Sequence, residues 1–314
     1  MTYRRLGDSG LMVSVVGIGC NNFGRKLDRD GTLAVVDAAL DAGINFFDTA
    51  DIYGEPQGGS EEQLGAALKG RRDDVVLATK FGMDMSGMNG PDFGARGARR
   101  YIARAVEASL RRLGTDHIDL YQMHEPDPGT PIEETLRALD DLVTAGKVRY
   151  LGNSNFSGWQ IADADWVART AGMTPFISAQ NHYSLVERSA ETEVAPACER
   201  FGLGLLPFFP LANGLLTGKY RRGEAPPAGS RLSQGGRYAA RLAAAPWDTI
   251  EAIEAYAAER GLNLLQVAIG GLAAQPAVTS VIAGATTPEQ VRDNAAAGAW
   301  QPSDEDLAAL RAIL

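Results

Sequence analysis

Four polar residues, each closing or following a short apolar run, have the chemistry to deliver a proton to a carbonyl oxygen. Asp48 ends the run Ile44 to Asp48, Tyr53 follows five residues on, Lys80 ends Asp74 to Lys80, and His124 ends His117 to His124. A tyrosine with its ordinary pKa of about 10 is a weak acid near neutral pH, and a cation beside its phenolate lowers that value. Lys80 supplies the cation, Asp48 can pair with it, and His124 can donate a hydrogen bond to the oxygen as negative charge develops there. Taken singly, each has an ordinary structural reading. Asp48 reads as a helix or turn cap, Tyr53 as a loop aromatic, Lys80 as an exposed strand end and His124 as a satisfied buried histidine. Lys80 resists its ordinary reading, because only five of the 30 basic residues are lysines and a compact ammonium stands where arginine is the habit.

Such chemistry requires elements that bring the four residues to one place. Apolar runs rich in Val, Ile and Phe recur at Val15 to Gly19, Ile44 to Asp48, Asp74 to Lys80 and His117 to His124. Four more follow at Lys147 to Ser154, Phe176 to Gln180, Leu203 to Phe209 and Ala277 to Gly284. Between them, helical periodicity predicts helices over Thr32 to Ala42, Ser60 to Leu68, Ala98 to Leu113, Ile132 to Ala145 and Pro288 to Ala297. Start signals stand at Ser60 before Glu61 and Glu62, at Pro131 before Glu133 and Glu134, and at Thr287 with Pro288. Eight strands alternating with helices predict an α/β fold, a (β/α)8 TIM barrel spanning residues 1–314 as one domain. All four chemical residues then lie at or just past the C-terminal ends of successive strands.

A doubly wound dinucleotide-binding sheet is the main alternative. It needs a G-x-G-x-x-G turn after an early strand, and Asn22 stands where the third glycine is required. The residues before Val15, with Asp8, Ser9 and Gly10 at a turn, predict an N-terminal β-hairpin closing the N-terminal mouth of the barrel. Two Gly-rich segments, Phe81 to Gly97 and Pro210 to Pro246, read as long loops on the catalytic face. Gly261 to Pro288 carries no charge, but Asn263, Gln266, Gln275 and Pro276 interrupt it, so it reads as a buried helix feeding a buried strand rather than a membrane span. A last helix is expected from Ser303 to Leu314.

Composition narrows the partners. With 30 basic and 39 acidic residues among 314, the net charge is −9, which argues against a surface that neutralises nucleic-acid phosphates. Only Cys20 and Cys198 occur, and the N-terminal residues lack the apolar run of a signal peptide, so a cytoplasmic protein without disulfides is expected. His117, His124 and His182 are the only histidines and form no H-x-H pair, so no metal is expected and a metal-dependent barrel hydrolase is disfavoured.

The segments Ala42 to Gly54, Ala78 to Gly82, Leu120 to His124 and Gly214 to Tyr220 resemble the aldo-keto reductase superfamily, in order and along nearly the whole chain. The resemblance implies NADPH-dependent reduction of an aldehyde or ketone, with Asp48, Tyr53, Lys80 and His124 as the catalytic tetrad and Tyr53 as general acid. It implies that Ser154, Asn155 and Gln180 hold the nicotinamide carboxamide, that Phe208 stacks on the ring, and that Asp48 is also a cofactor contact. It further assigns Cys20, Asn21, Phe209, Pro210, Leu211 and Ala212 to the cofactor, Lys219 and Arg231 to its phosphates, and Gly284, Thr286, Gln290, Asp293 and Asn294 to the adenosine end. The helix start at Thr287 and Pro288 favours an anion there.

Gly284 and Gln290 stand where many relatives carry a lysine and an arginine, a pattern similar to the bacterial branch related to glyceraldehyde-3-phosphate reductases and potassium-channel β subunits. NADP(H) is favoured, with NAD(H) possible. Lys219, Arg231 and the helix at Pro288 must then make a locally positive cleft in an acidic protein. Two other functions stand beside this reading: an NAD(P)-dependent dehydrogenase of sugars or alcohols, and a cofactor-sensing subunit. The second is disfavoured by His124, which the channel subunits replace by an amide. Phe23, Tyr53, Met83 and His124 are the expected substrate contacts, with Met85, Met88, Phe93, Tyr183 and Trp247 as further candidates. The oligomeric state is open.

Overall fold

The computed structural model describes the backbone of all 314 residues and every side chain except that of Arg237. A hairpin of two antiparallel strands, β1 (Tyr3–Arg5) and β2 (Met12–Ser14), comes first. Eight parallel strands follow: β3 (Val16–Gly19), β4 (Phe46–Asp48), β5 (Val76–Phe81) and β6 (Ile118–Met123), then β7 (Val148–Ser154), β8 (Phe176–Gln180), β9 (Gly204–Leu205) and β10 (Val281–Gly284). Their order is β10-β3-β4-β5-β6-β7-β8-β9. The two ends meet where Leu205 bonds the Ala277 carbonyl at 2.8 Å and the Ile282 amide bonds Pro207 at 3.0 Å. The expected (β/α)8 barrel is what the chain forms.

The helices are α1 (Arg29–Asp41), α2 (Gly59–Ala67), α3 (Arg99–Leu113), α4 (Ile132–Thr144), α5 (Gly158–Ala171) and α6 (Val194–Phe201). They continue with α7 (Arg237–Ala243), α8 (Trp247–Glu259), α9 (Leu264–Ala273), α10 (Pro288–Ala297) and α11 (Asp304–Ile313). The expected buried helix is α9, and the strand it feeds is β10. Thr287 caps α10 by accepting from the Gln290 amide, with Pro288 in the first turn. Ser60 does not cap α2. Gly58 holds that place at φ 87°, and the Ser60 hydroxyl bonds inward to Thr49 and the Cys20 carbonyl.

Alternation along the strands sorts the barrel interior. Phe46, Val76, Ala78, Leu120, Leu206 and Ile282 form an apolar plug with Leu6 and Val13 of the hairpin, which closes the N-terminal mouth as expected. One strand period further on, the inward positions turn polar at Asp48, Lys80, Gln122 and Gln180. The larger core fills the space between strands and helices.

Two expectations need correction. The run Leu203 to Phe209 contributes only Gly204 and Leu205 to the ladder, because Pro207 has no N–H to donate and Phe208 keeps a single bridge to His182. The segment Pro210 to Pro246 is not a plain loop. It holds helical turns at 212–217 and 231–234 and helix α7, and Leu215, Leu216, Tyr220 and Leu232 pack with α8, α9 and Leu310 in a second core. Its pieces are too short for a helical period to show in sequence.

Candidate active site

Parallel strands whose C-terminal ends share one rim bring Asp48, Lys80 and His124 together from β4, β5 and the residue after β6. Lys80 is fully enclosed. Its Nζ donates to Asp48 Oδ2 at 2.6 Å and to the Thr49 carbonyl at 2.9 Å. Asp48 Oδ1 accepts from Gln180 Nε2 at 2.9 Å and Gln122 Nε2 at 3.0 Å. Burial pulls the Lys80 ammonium down, but Asp48 and the Tyr53 phenol outweigh it, so its pKa is raised and it stays charged.

Tyr53 stands on a tight turn. Its N–H bonds Ala50 at 3.1 Å, its carbonyl accepts from Ser60 at 3.1 Å, and Gly54 follows at φ 102°. A Cβ on Gly54 would lie 2.6 Å from the Ser60 nitrogen, so only glycine closes this turn. The Tyr53 ring lies with Lys80 Nζ 5.2 Å from its centroid and meets the His124 ring edge-on at 5.7 Å. The sequence argument that the cation lowers the tyrosine pKa needs amendment. Lys80 does lower it, but burial is the larger influence and the net shift is upward. The phenol is therefore protonated at neutral pH. Burial, then Lys80, hold the His124 imidazole well below its ordinary value, so it is neutral, and its Nδ1 is buried without a partner.

The strands beside the tetrad carry the amides. Asn155, at φ 60°, donates from Nδ2 to the His124 carbonyl at 2.9 Å, and Ser154 Oγ donates to the Gln180 carbonyl at 2.8 Å. Phe208 stacks on His182 with centroids 5.5 Å apart, and Phe209 packs across both rings. Phe209, Ala212 and Asn213 all have left-handed φ, at 52°, 47° and 61°, so backbone strain is concentrated in the stretch that includes Pro210 and Leu211. At the far side of the rim Gly284 is exposed, with Asn21 and Asn22 side-chain atoms 3.9 and 3.7 Å from where its Cβ would be. Gln290 folds back so that its Oε1 accepts from the Thr286 amide and hydroxyl. Asp293 is exposed, whereas Asn294 is buried with Nδ2 unpartnered.

Not every expected residue reaches the mouth. Phe23 and Cys20 are fully enclosed, so neither side chain offers surface to a ligand. Met85 and Tyr183 are also buried, the latter donating to Glu191, and Trp247 packs in the second core. Met83 is half-buried, while Met88 and Phe93 stand exposed on the segment after β5.

Sequence reasoning missed two features. Lys26 lies among cations: burial, then Arg231, hold its pKa down, with Arg25 and Lys219 adding. Its scarcity as a lysine, the argument used for Lys80, was the available signal. Behind the Tyr53 turn lies a buried network in which Arg112 Nε and Thr79 Oγ1 each donate to Glu61 at 2.6 Å. There Asn89 donates to Asp51 at 2.9 Å and accepts from Arg112 at 3.1 Å. Burial and the nearby Glu61 raise the Asp51 carboxyl well above the usual range. This ties the segment after β5 to the Tyr53 turn.

A rim with a paired buried lysine, a protonated tyrosine and a neutral histidine, beside three amide or hydroxyl side chains, is the arrangement of a barrel oxidoreductase. The profile described as the Aldo/keto reductase family matches residues 15–314, and the chain belongs to that family. It is 40% identical over 299 residues to an uncharacterized oxidoreductase, YrpG, of Bacillus subtilis, covering 93% of this chain and 90% of that one. It is 38% identical to a probable voltage-gated potassium channel subunit beta of Oryza sativa, covering 94% and 90%. It is 33% identical to L-glyceraldehyde 3-phosphate reductase of Escherichia coli, covering 94% and 86%. The protein is thus an oxidoreductase of carbonyl compounds, of a family that generally uses nicotinamide cofactors. No helix among the described residues is long and apolar enough to cross a membrane.

Proposed function

We propose that this protein reduces aldehydes or ketones to alcohols with NADPH, and that Tyr53 donates the proton. The observation that carries the reading is a neutral, buried-edge phenol held 5.2 Å from a fully enclosed ammonium and 5.7 Å from a neutral imidazole. Each group is in the protonation state that reduction requires. Two free, buried cysteines agree with a cytoplasmic location.

The rim suits a nicotinamide cofactor. Gln180 spends its amide nitrogen on Asp48, so its oxygen is left to accept from a carboxamide, and Asn155 likewise keeps its oxygen. Phe208 offers the ring face away from His182. Lys26, Lys219 and Arg231 supply positive charge for phosphates, and the unpartnered Asn294 amide waits at the adenosine end. When bound, the cofactor supplies a hydride. Tyr53 then gives its hydroxyl proton to the substrate oxygen, and Lys80 stabilises the phenolate left behind. His124 donates a hydrogen bond to the same oxygen, fixing the carbonyl against the hydride source. Asp48 keeps Lys80 charged and in place. Met83, Met88 and Phe93 are the apolar side chains available to the rest of the substrate.

Tyr53→Phe tests this. Reduction of a reactive aldehyde should fall by roughly 10²–10⁴-fold, while NADPH binding, followed by fluorescence quenching, stays measurable. Retained activity would overturn the assignment.

A further inference from the structure

Three donors converge on the Asp48 carboxylate, and one of them, Gln122, has no role in the account above. Lys80 takes Oδ2 at 2.6 Å, and Oδ1 receives Gln180 at 2.9 Å and Gln122 at 3.0 Å. Gln122 is fully enclosed on β6, two residues before His124, and its own oxygen lies 3.4 Å from Gln180 Nε2. An amide buried at this depth loses free energy unless it is hydrogen-bonded, so an apolar residue would serve packing better. Room is made for it: a Cβ on Gly152 would lie 3.1 Å from Gln122 Cγ and 2.4 Å from Ser178 Oγ.

We propose that Gln122 is a positioning residue for the proton transfer, orienting the Asp48 carboxylate and neutralising part of its charge so that Lys80 acts fully on Tyr53. The proposal rests on the reading of Tyr53 as the acid. The two oxygens of Asp48 are divided, one for the ammonium and one for the two amides. Without Gln122, more of the Asp48 field reaches Tyr53 and the Lys80 proton is drawn further toward the carboxylate; both effects raise the tyrosine pKa. The titratable groups facing Tyr53 are Asp48 from β4, Lys80 from β5, Cys20 after β3 and His124 after β6. None of them changes in a Gln122 variant. Gln180 shares the same oxygen and also faces the cofactor's carboxamide side, so Gln122 is the donor that keeps Asp48 in place whatever Gln180 does.

The test uses two variants of the whole protein. Gln122→Met keeps the side chain's length and removes the donor. With ¹³Cζ-labelled tyrosine, the Tyr53 resonance, assigned by its loss in Tyr53→Phe, should titrate about one pH unit higher than in the unchanged protein. An unchanged midpoint in folded protein overturns the proposal. Gln122→Glu decides the matter if the first variant does not fold. Protonated, that carboxyl still donates to Asp48; ionised, it repels it. Its kcat for aldehyde reduction should match the unchanged protein at low pH and fall at least tenfold as pH rises, whereas a loss uniform in pH marks a structural role and sinks the idea. The NMR midpoint needs no turnover. A shifted midpoint in a protein that reduces no carbonyl would therefore condemn the proposed function and leave the coupling of Gln122 to Tyr53 intact.

Discussion

Removing either partner of the buried Lys80–Asp48 pair should cost about twice as much as removing both. Lys80 is fully enclosed and makes two hydrogen bonds, to Asp48 at 2.6 Å and the Thr49 carbonyl at 2.9 Å. Lys80→Met strands the carboxylate in the barrel. Breaking a buried pair costs roughly 3–5 kcal/mol, and the two amides that remain on Oδ1 place this case near 3. The orphaned Thr49 carbonyl adds about 1, giving about 4 kcal/mol. Asp48→Asn removes the counter-charge instead, leaving the ammonium only neutral acceptors, the amide oxygen and the Thr49 carbonyl, at about 4 kcal/mol. The double variant leaves no unpaired charge at these two positions and should cost about 2 kcal/mol, not the sum of about 8. Urea unfolding of the four proteins at pH 7 measures the cycle. Activity separates from stability: the double variant should be as inactive as Lys80→Met, because no cation faces the phenolate. Additive destabilisation, or activity regained in the double variant, would refute the electrostatic account of the pair.

His124 is neutral because burial, then Lys80, depress its pKa. The unfolded chain binds the extra proton near pH 6.5, so stability falls as pH drops through that value, by at most about 1.4 kcal/mol per unit. His124→Gln should lessen that slope in urea midpoints between pH 7 and 5, and an identical slope would count against a neutral imidazole. Arg231→Ala should raise the Kd for NADPH about tenfold and that for NADH much less; equal changes would mean that Arg231 does not read the 2′-phosphate. Lys26→Ala should weaken both cofactors alike, with a shallower salt dependence, and unaltered binding would remove Lys26 from the cationic cleft.

The convergence of Asp48, Lys80, His124 and Tyr53 was legible because three of them end apolar runs and Tyr53 follows one, and a parallel barrel brings all strand ends of one kind to a single rim. The helix cap at Thr287 was legible for a local reason, since a cap depends on residues three apart. Gln122 was not, because its partner Asp48 is 74 residues away and nothing local marks the contact. The buried Glu61–Arg112 pair spans 51 residues and was hidden in the same way. Phe23 misled because a residue after a strand is placed at the mouth by position alone, whereas its side chain turned into the core.

The sequence by itself determined the alternation of strand and helix, and with it the barrel, its hairpin plug and the rim on which the four reactive residues lie. Local periodicity and turn chemistry suffice for that. Only the tertiary structure decided the balance of charge within the rim. The upward shift at Tyr53, the neutral state of His124 and the sharing of Asp48 among Lys80, Gln122 and Gln180 all follow from burial and distances between distant strands. A residue type names the charge it can carry, but the surrounding dielectric and its partners set the charge it does carry.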